Sequence, residues 1–170
     1  MKPQTFIRRT RIEASAAEVF AWHALPGALE KLTPPCEPAK IIERGAGIQN
    51  GSRVVLEIKF WPLRFRWISE HRDYQEGRSF TDVQTSGPFA YWEHIHRFEP
   101  VAEHACVLED RIEYVLPLGI IAKFLAGWWV HRKLDRLFQY RHAITLQELG
   151  ALRRRTQLSP KSLYGSEMRP

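Results

Sequence analysis

Cysteine is scarce in this chain. Its 170 residues hold only Cys36 and Cys106, and neither belongs to a Cys-x-x-Cys pair or a zinc-ligand spacing. A disulfide-dense scaffold and a zinc ribbon are excluded, and a reducing intracellular setting fits best. Cys36 follows Pro34-Pro35 with no base beside it and is read as inert. Long apolar runs are missing as well. No stretch approaches the ~20 residues needed to span a bilayer. The opening Met-Lys-Pro-Gln-Thr-Phe-Ile-Arg-Arg lacks the apolar centre of a secretory leader. The expectation is a soluble, cytoplasmic protein without a transmembrane segment. Neither Gly-x-Ser-x-Gly nor Gly-x-Gly-x-x-Gly occurs, so a nucleophile-elbow hydrolase and a dinucleotide-binding domain find no support.

Concentrated positive charge is also absent from most of the chain. The net charge is +6, but Arg153, Arg154, Arg155, Lys161 and Arg169 against Glu167 place +4 of it in residues 151–170. The remaining body is mixed in sign and lacks the basic face of a nucleic-acid binder. Residues 1–149 are expected to form one domain and residues 150–170 a basic, flexible tail. Nothing in the sequence specifies an oligomer.

What is present is alternation. From Ala39 to Leu116 the chain reads as strands separated by turn clusters, with period-2 patterning. Trp92, His94, His96 and Phe98 share one face of a strand, and Cys106, Leu108, Asp110, Ile112, Tyr114 and Leu116 share one face of the next. Phe65, Trp67, Ser69 and His71 share a face of an earlier strand. A hairpin closing at Ser86-Gly87-Pro88 places Asp82 opposite His94, and one closing at Val101–His104 places His94 opposite Asp110. So many polar groups on a largely apolar face imply a cavity there, because each unsatisfied buried group costs roughly 1–3 kcal/mol.

Two other signals frame the strands. Ser15-Ala-Ala-Glu18 matches a capping box and opens a short helix, with a second over Gly27–Leu32. After Pro117 the period changes to three and four, predicting one long amphipathic helix from about Gly119 to Leu149. On that helix Phe124 and Trp128 are expected to face the sheet, while Arg136, Arg141 and His142 are read as complements to the helix dipole.

Strand, two short helices, an antiparallel run and a long C-terminal helix resemble the helix-grip superfamily of START lipid-transfer domains, birch-pollen-allergen-type carriers and polyketide aromatase/cyclases. Leu32-Thr-Pro-Pro35, Gly87-Pro-Phe-x-x-Trp-x-His-x-His-x-Phe98, Asp110-x-x-x-Tyr-x-x-Pro117 and Phe138-x-Tyr-Arg-His142 resemble the bacterial cyclase/dehydrase-like ligand-binding group within it. Similar domains sometimes occur joined to a nucleotide-sugar-epimerase-like domain. The resemblance implies an α+β fold: a curved seven-stranded antiparallel sheet gripping the C-terminal helix, with an apolar cavity between them. It supplies no invariant catalytic residue.

The expected function is binding of a hydrophobic or amphipathic small molecule (a lipid, a polyketide-like or an aromatic compound). Phe65, Trp67, Trp92, Phe98, Phe124 and Trp128 would line the apolar wall, and Asp82, Gln84, His94, His96, Asp110 and Tyr114 would hold the polar end. Three roles stay open for the histidines: a buried register-setting network, ligand orientation, or proton transfer. The last describes a cyclase- or dehydratase-type enzyme with His94 as base and Asp110 or Asp82 orienting it. A further alternative is a membrane- or protein-contact module using Trp129 and the basic tail. No cofactor is expected. No metal is expected either, because neighbours in one sheet row stand ~5 Å apart and need not converge on an ion.

Overall fold

A computed structural model of the protein describes the backbone of residues 2–36, 39–45, 47–60, 63–117 and 120–158. Side chains are described at all of these except 60, 63, 120–126 and 155–158. The order is β1 (Gln4–Ile12), α1 (Ala16–His23), α2 (Ala28–Lys31), β2 (Ala39–Arg44), β3 (Arg53–Phe60), β4 (Leu63–Gln75), β5 (Ser79–Ser86), β6 (Tyr91–Ala102), β7 (Ala105–Val115) and α3 (Ile120–Leu158). The strands form one antiparallel, curved sheet in the order β1-β7-β6-β5-β4-β3-β2. Chain order is kept from β2 to β7, and β1 adds to the free edge of β7. This is the helix-grip arrangement that the sequence implies.

Local chemistry explains the frame. Ser15 Oγ accepts from the Glu18 backbone N–H at 3.3 Å, and the Glu18 carboxylate accepts from the Ser15 N–H at 2.7 Å. The capping box thus starts α1, which turns Val19, Phe20 and Trp22 inward. Gly77 supplies the left-handed φ of 69° in the turn from β4 to β5. Just before it, Asp73 takes a positive φ of 51° at a register shift in β4. That bulge ends the simple alternation of the strand, so Tyr74 packs inward, 5.6 Å from the ring of Phe20.

The β5–β6 register sets Asp82 opposite His94. The β6–β7 turn is tighter than Val101–His104: it is Glu103-His104 alone. Together with the β-bulge between Pro100 and Ala102, that turn puts His96 opposite Asp110 and His94 opposite Ile112. The displacement from the expected pairing is two residues, and an even shift leaves every side chain on its expected face.

Helix α3 continues nine residues past the expected end at Leu149. Ala151, Leu152 and the arginines that follow are good helix formers, and no proline occurs before Pro160. Arg153 reaches Glu18 at 3.4 Å, so this part of the expected tail is tied to α1. Residues 159–170 lie outside those described. The buried stripe of α3 runs Gly127, Val130, Leu134, Phe138, His142, Thr145 and Leu149, at steps of three and four. Trp128 and Trp129 fall off that stripe and are 65% and 43% exposed. Trp128 therefore does not face the sheet as expected. The Arg132 guanidinium lies 5.5 Å over its ring and the Lys133 ammonium 5.5 Å over that of Trp129.

The core has two apolar parts. Ile12, Phe20, Trp22, Phe80, Phe98 and Leu108 pack beneath α1, and Phe6, Trp92, Ile112, Tyr114, Leu134 and Phe138 pack beneath α3. Cys106 belongs to the first part and is fully buried, whereas Cys36 is exposed. Burial, with the Glu18 charge, pushes the Cys106 thiol up to about 11. Iodoacetamide at pH 8 should therefore modify Cys36 in the folded protein and spare Cys106 until denaturant is added. Peptide mass spectrometry reads this directly, and rapid labelling of Cys106 in the native state would contradict the packing.

Candidate functional site

A belt of histidines and carboxylates separates the two apolar parts. Along β6 the inward order is Trp92, His94, His96, Phe98; along β7 it is Tyr114, Ile112, Asp110, Leu108. The period of the strand places these side chains on one face, and packing buries them. His94, His96, Asp110 and His142 are all less than a tenth exposed.

Asp110 is the hub. Its Oδ1 accepts from His94 Nε2 at 2.8 Å, and its Oδ2 from His142 Nε2 at 2.6 Å. The other nitrogen of His142 meets the Thr10 hydroxyl at 2.6 Å, which joins α3 to β1 across the hub. His96 Nδ1 lies 2.8 Å from Asp110 Oδ1, a close ionic contact off the line of a good hydrogen bond.

Asp82 is the second centre. His96 Nε2 donates to its Oδ2 at 3.2 Å, and His71 Nε2 stands 2.9 Å from its Oδ1. His71 Nδ1 donates to the Ser52 carbonyl at 3.1 Å. Asp82 is also the most open member, its side chain 24% exposed. His23 completes the surroundings: its Nδ1 donates to the Val19 carbonyl at 2.8 Å, and its ring lies 6.5 Å from that of His96.

Electrostatics sort these groups. Burial disfavours charge on His96, but Asp110 and Asp82 on either side outweigh it and raise its pKa to about 9. His71 is raised too, because the Asp82 contact overcomes its burial. His94 goes the other way, to about 4: burial and the charge on His96 prevail over Asp110. Burial likewise lowers His23 to about 4. For Asp82 and Asp110 burial opposes ionisation, yet the imidazoles around them hold both well below the usual carboxylate range. A neutral His94 donating Nε2–H to Asp110 keeps its Nδ1 lone pair, which faces Asp82 Oδ2 at 3.8 Å.

The named site residues thus have different fates. Asp82, His94, His96 and Asp110 meet in one network. Phe98 and Tyr114 are filled core, 2% and 1% exposed. Gln84 staples the β5–β6 turn, its amide donating to the Phe89 carbonyl at 2.8 Å. Trp67 and Trp92 pack edge-to-face, 4.9 Å apart. The side chain of Phe124 lies outside those described. A pocket of about 450 Å³ opens at the β2–β3 connection, on Glu43, Gly45 and Gln49 to Arg53.

Sequence reasoning missed His71, His142 and Thr10 as members. His71 shares the parity of Trp67 on β4, and His142 follows Phe138 by one helical turn; both signals were available. Arg141, read as a dipole complement, donates to the Leu32 carbonyl at 3.1 Å.

Comparison with known proteins agrees with this architecture. Residues 12–138 match the model of the family described as polyketide cyclase / dehydrase and lipid transport. The chain belongs to that family. No curated protein matches it. Among solved structures it is similar to the nucleoside-diphosphate sugar epimerase from Corynebacterium glutamicum, at 23% identity and a TM-score of 0.67. That match covers 89% of this chain but only 30% of the epimerase. A START superfamily protein from Mycobacterium smegmatis is similar at 13% identity and a TM-score of 0.64, over 87% of this chain and 98% of that one. The Zhui aromatase/cyclase from Streptomyces sp. R1128 is similar at 19% identity and a TM-score of 0.57, over 96% and 99%. These likenesses establish the fold. Among the described residues, no helix is long and apolar enough to cross a membrane.

Proposed function

We propose that the chain binds an amphipathic small molecule on the concave face of β3 and β4, with the polar end of the ligand toward Asp82. The observation that carries this reading is a gradient of burial along the inner face. Under α3, at the β1-β7-β6 end, the side chains are sealed. At the other end Leu56, Ile58, Phe65 and Trp67 remain half-buried although they point to the same side. Apolar side chains left partly wet on a concave surface gain from covering, at roughly 25 cal/mol per Å² of apolar area. Polarity increases along β4 from Phe65 through Trp67 and Ser69 to His71, a distance of about 20 Å at ~3.3 Å per residue. A long or multi-ring ligand with one polar end suits that gradient, and membership of a family that includes lipid transport supports it.

Proton transfer by His94 is the less favoured reading. The residue is 3% exposed, and the Phe138 ring stands edge-on against it at 5.1 Å. A substrate would have to displace the helix to reach it.

The fluorescent amphiphile 1-anilinonaphthalene-8-sulfonate serves as probe. Wild-type protein should bind it with a blue shift, and Leu56→Lys should weaken binding tenfold or more by placing a charge on the apolar surface. Ile42→Lys, at an exposed position one face away, should bind as wild type. Equal binding by wild type and Leu56→Lys would remove this site from consideration.

A further inference from the structure

We infer that His94, His96 and Asp82 form a site for a divalent transition-metal ion, with zinc the best match to the donor set. One ligand atom from each lies within 4.8 Å of the others. His96 Nε2 and His94 Nδ1 stand 3.2 and 3.8 Å from Asp82 Oδ2. Donors around a tetrahedral ion, each about 2.0–2.2 Å from it, sit roughly 3.4 Å apart, so each histidine is already close to the required distance from Asp82, and the 4.8 Å spread of the three must close by about 1.4 Å at most. The spacing of a sheet row argued against convergence, but the rings of His94 and His96 turn toward each other until their centroids are 3.8 Å apart.

The surroundings resemble those of a metal centre more than those of a self-sufficient hydrogen-bond network. A ligating histidine ordinarily has its other nitrogen held by an acceptor, which orients the ring and its lone pair. His94 has one, Asp110 Oδ1 at 2.8 Å from its Nε2, and His96 Nδ1 lies equally close to that oxygen, off the hydrogen-bond line. His71 faces the remaining oxygen of Asp82 and leaves Oδ2 for the ion. As a network alone the cluster is incomplete. Asp82 Oδ1 and His96 Nδ1 are buried without an aligned hydrogen-bond partner. A divalent ion would also balance the two carboxylates, Asp82 and Asp110, with neutral imidazoles around it. Two histidines and one carboxylate suit zinc and its first-row neighbours.

Three protein ligands leave a fourth position. The imidazoles are closed in and Asp82 is the exposed member, so that position faces the Ser69 and Gln84 side of the sheet, where water or a ligand oxygen would enter. The inference does not rest on the amphiphile reading, because metal binding is measured without any organic molecule.

The test uses the full chain, treated with EDTA, dialysed and titrated with Zn²⁺ and separately with Co²⁺. One ion per chain should bind, the Co²⁺ form should show the visible bands of a tetrahedral ion, and Zn²⁺ should raise the melting temperature. Asp82→Asn, the substitution at the most exposed ligand, should weaken Zn²⁺ affinity at least tenfold while the variant remains folded by circular dichroism. His94→Gln should do the same where it folds. His104→Gln and His131→Gln, exposed and outside the cluster, should bind like wild type. Absence of a one-to-one complex, unchanged affinity in Asp82→Asn, or loss of binding in the surface variants would each overturn the assignment.

Discussion

Replacing Asp110 by alanine should lower the folding free energy by about 3–5 kcal/mol, the range for removing one partner of a buried charged pair. Three imidazoles, His94, His96 and His142, lie within 2.8 Å of its two oxygens. Alanine would leave one ring nitrogen of each of the three in a dry site without its carboxylate partner. Asparagine would fare little better, because its amide N–H₂ would point at an imidazole N–H. The measurement is urea denaturation with EDTA present, which keeps metal out of the comparison. Adding His96→Gln to Asp110→Asn should cost less than the sum of the two single changes, since the double variant buries no unpaired charge between these positions. A loss below about 1 kcal/mol for Asp110→Ala would mean that water reaches the hub and that the belt is not a sealed network.

Phe138→Ala should cost about as much, 3–5 kcal/mol, for a different reason. Its ring is 1% exposed and lies 5.5 Å from Phe6 on β1 and 5.1 Å from His94 on β6. It therefore fastens α3 to two strands at once and also roofs the histidine belt. Deleting it removes a large apolar surface from the core and opens a cavity next to polar groups that water would then enter. At about 2–4 °C per kcal/mol for a chain of this size, the melting temperature should fall by roughly 6–20 °C. Phe138→Leu keeps most of the volume and should lose less than half as much. If alanine and leucine behaved alike, the roof would owe its effect to aromatic contact and not to volume.

Much of this was legible locally. Period-2 alternation over 92–98 and 106–116 assigned the inward residues correctly, because strand geometry depends only on neighbouring backbone. The capping box at Ser15 and the change of period after Pro117 are equally local. The helix runs past its expected end at Leu149 to Leu158. Tertiary anchoring by the buried Leu149 and the Arg153–Glu18 contact carries α3 through Gly150.

The sequence by itself determined the elements, their order, their family and which faces turn inward. It also placed Asp82, His94, His96 and Asp110 on one side of one sheet. Only the tertiary structure decided how those four connect. A two-residue turn and the β-bulge between Pro100 and Ala102 together set His96 across from Asp110. The rotation of α3 brought His142 to the same carboxylate from 32 residues away, and it turned Trp128 out to solvent. The bonding partners of a buried polar group depend on strand register and helix rotation. Both are fixed by packing across the whole core, where no local window of sequence contains the answer.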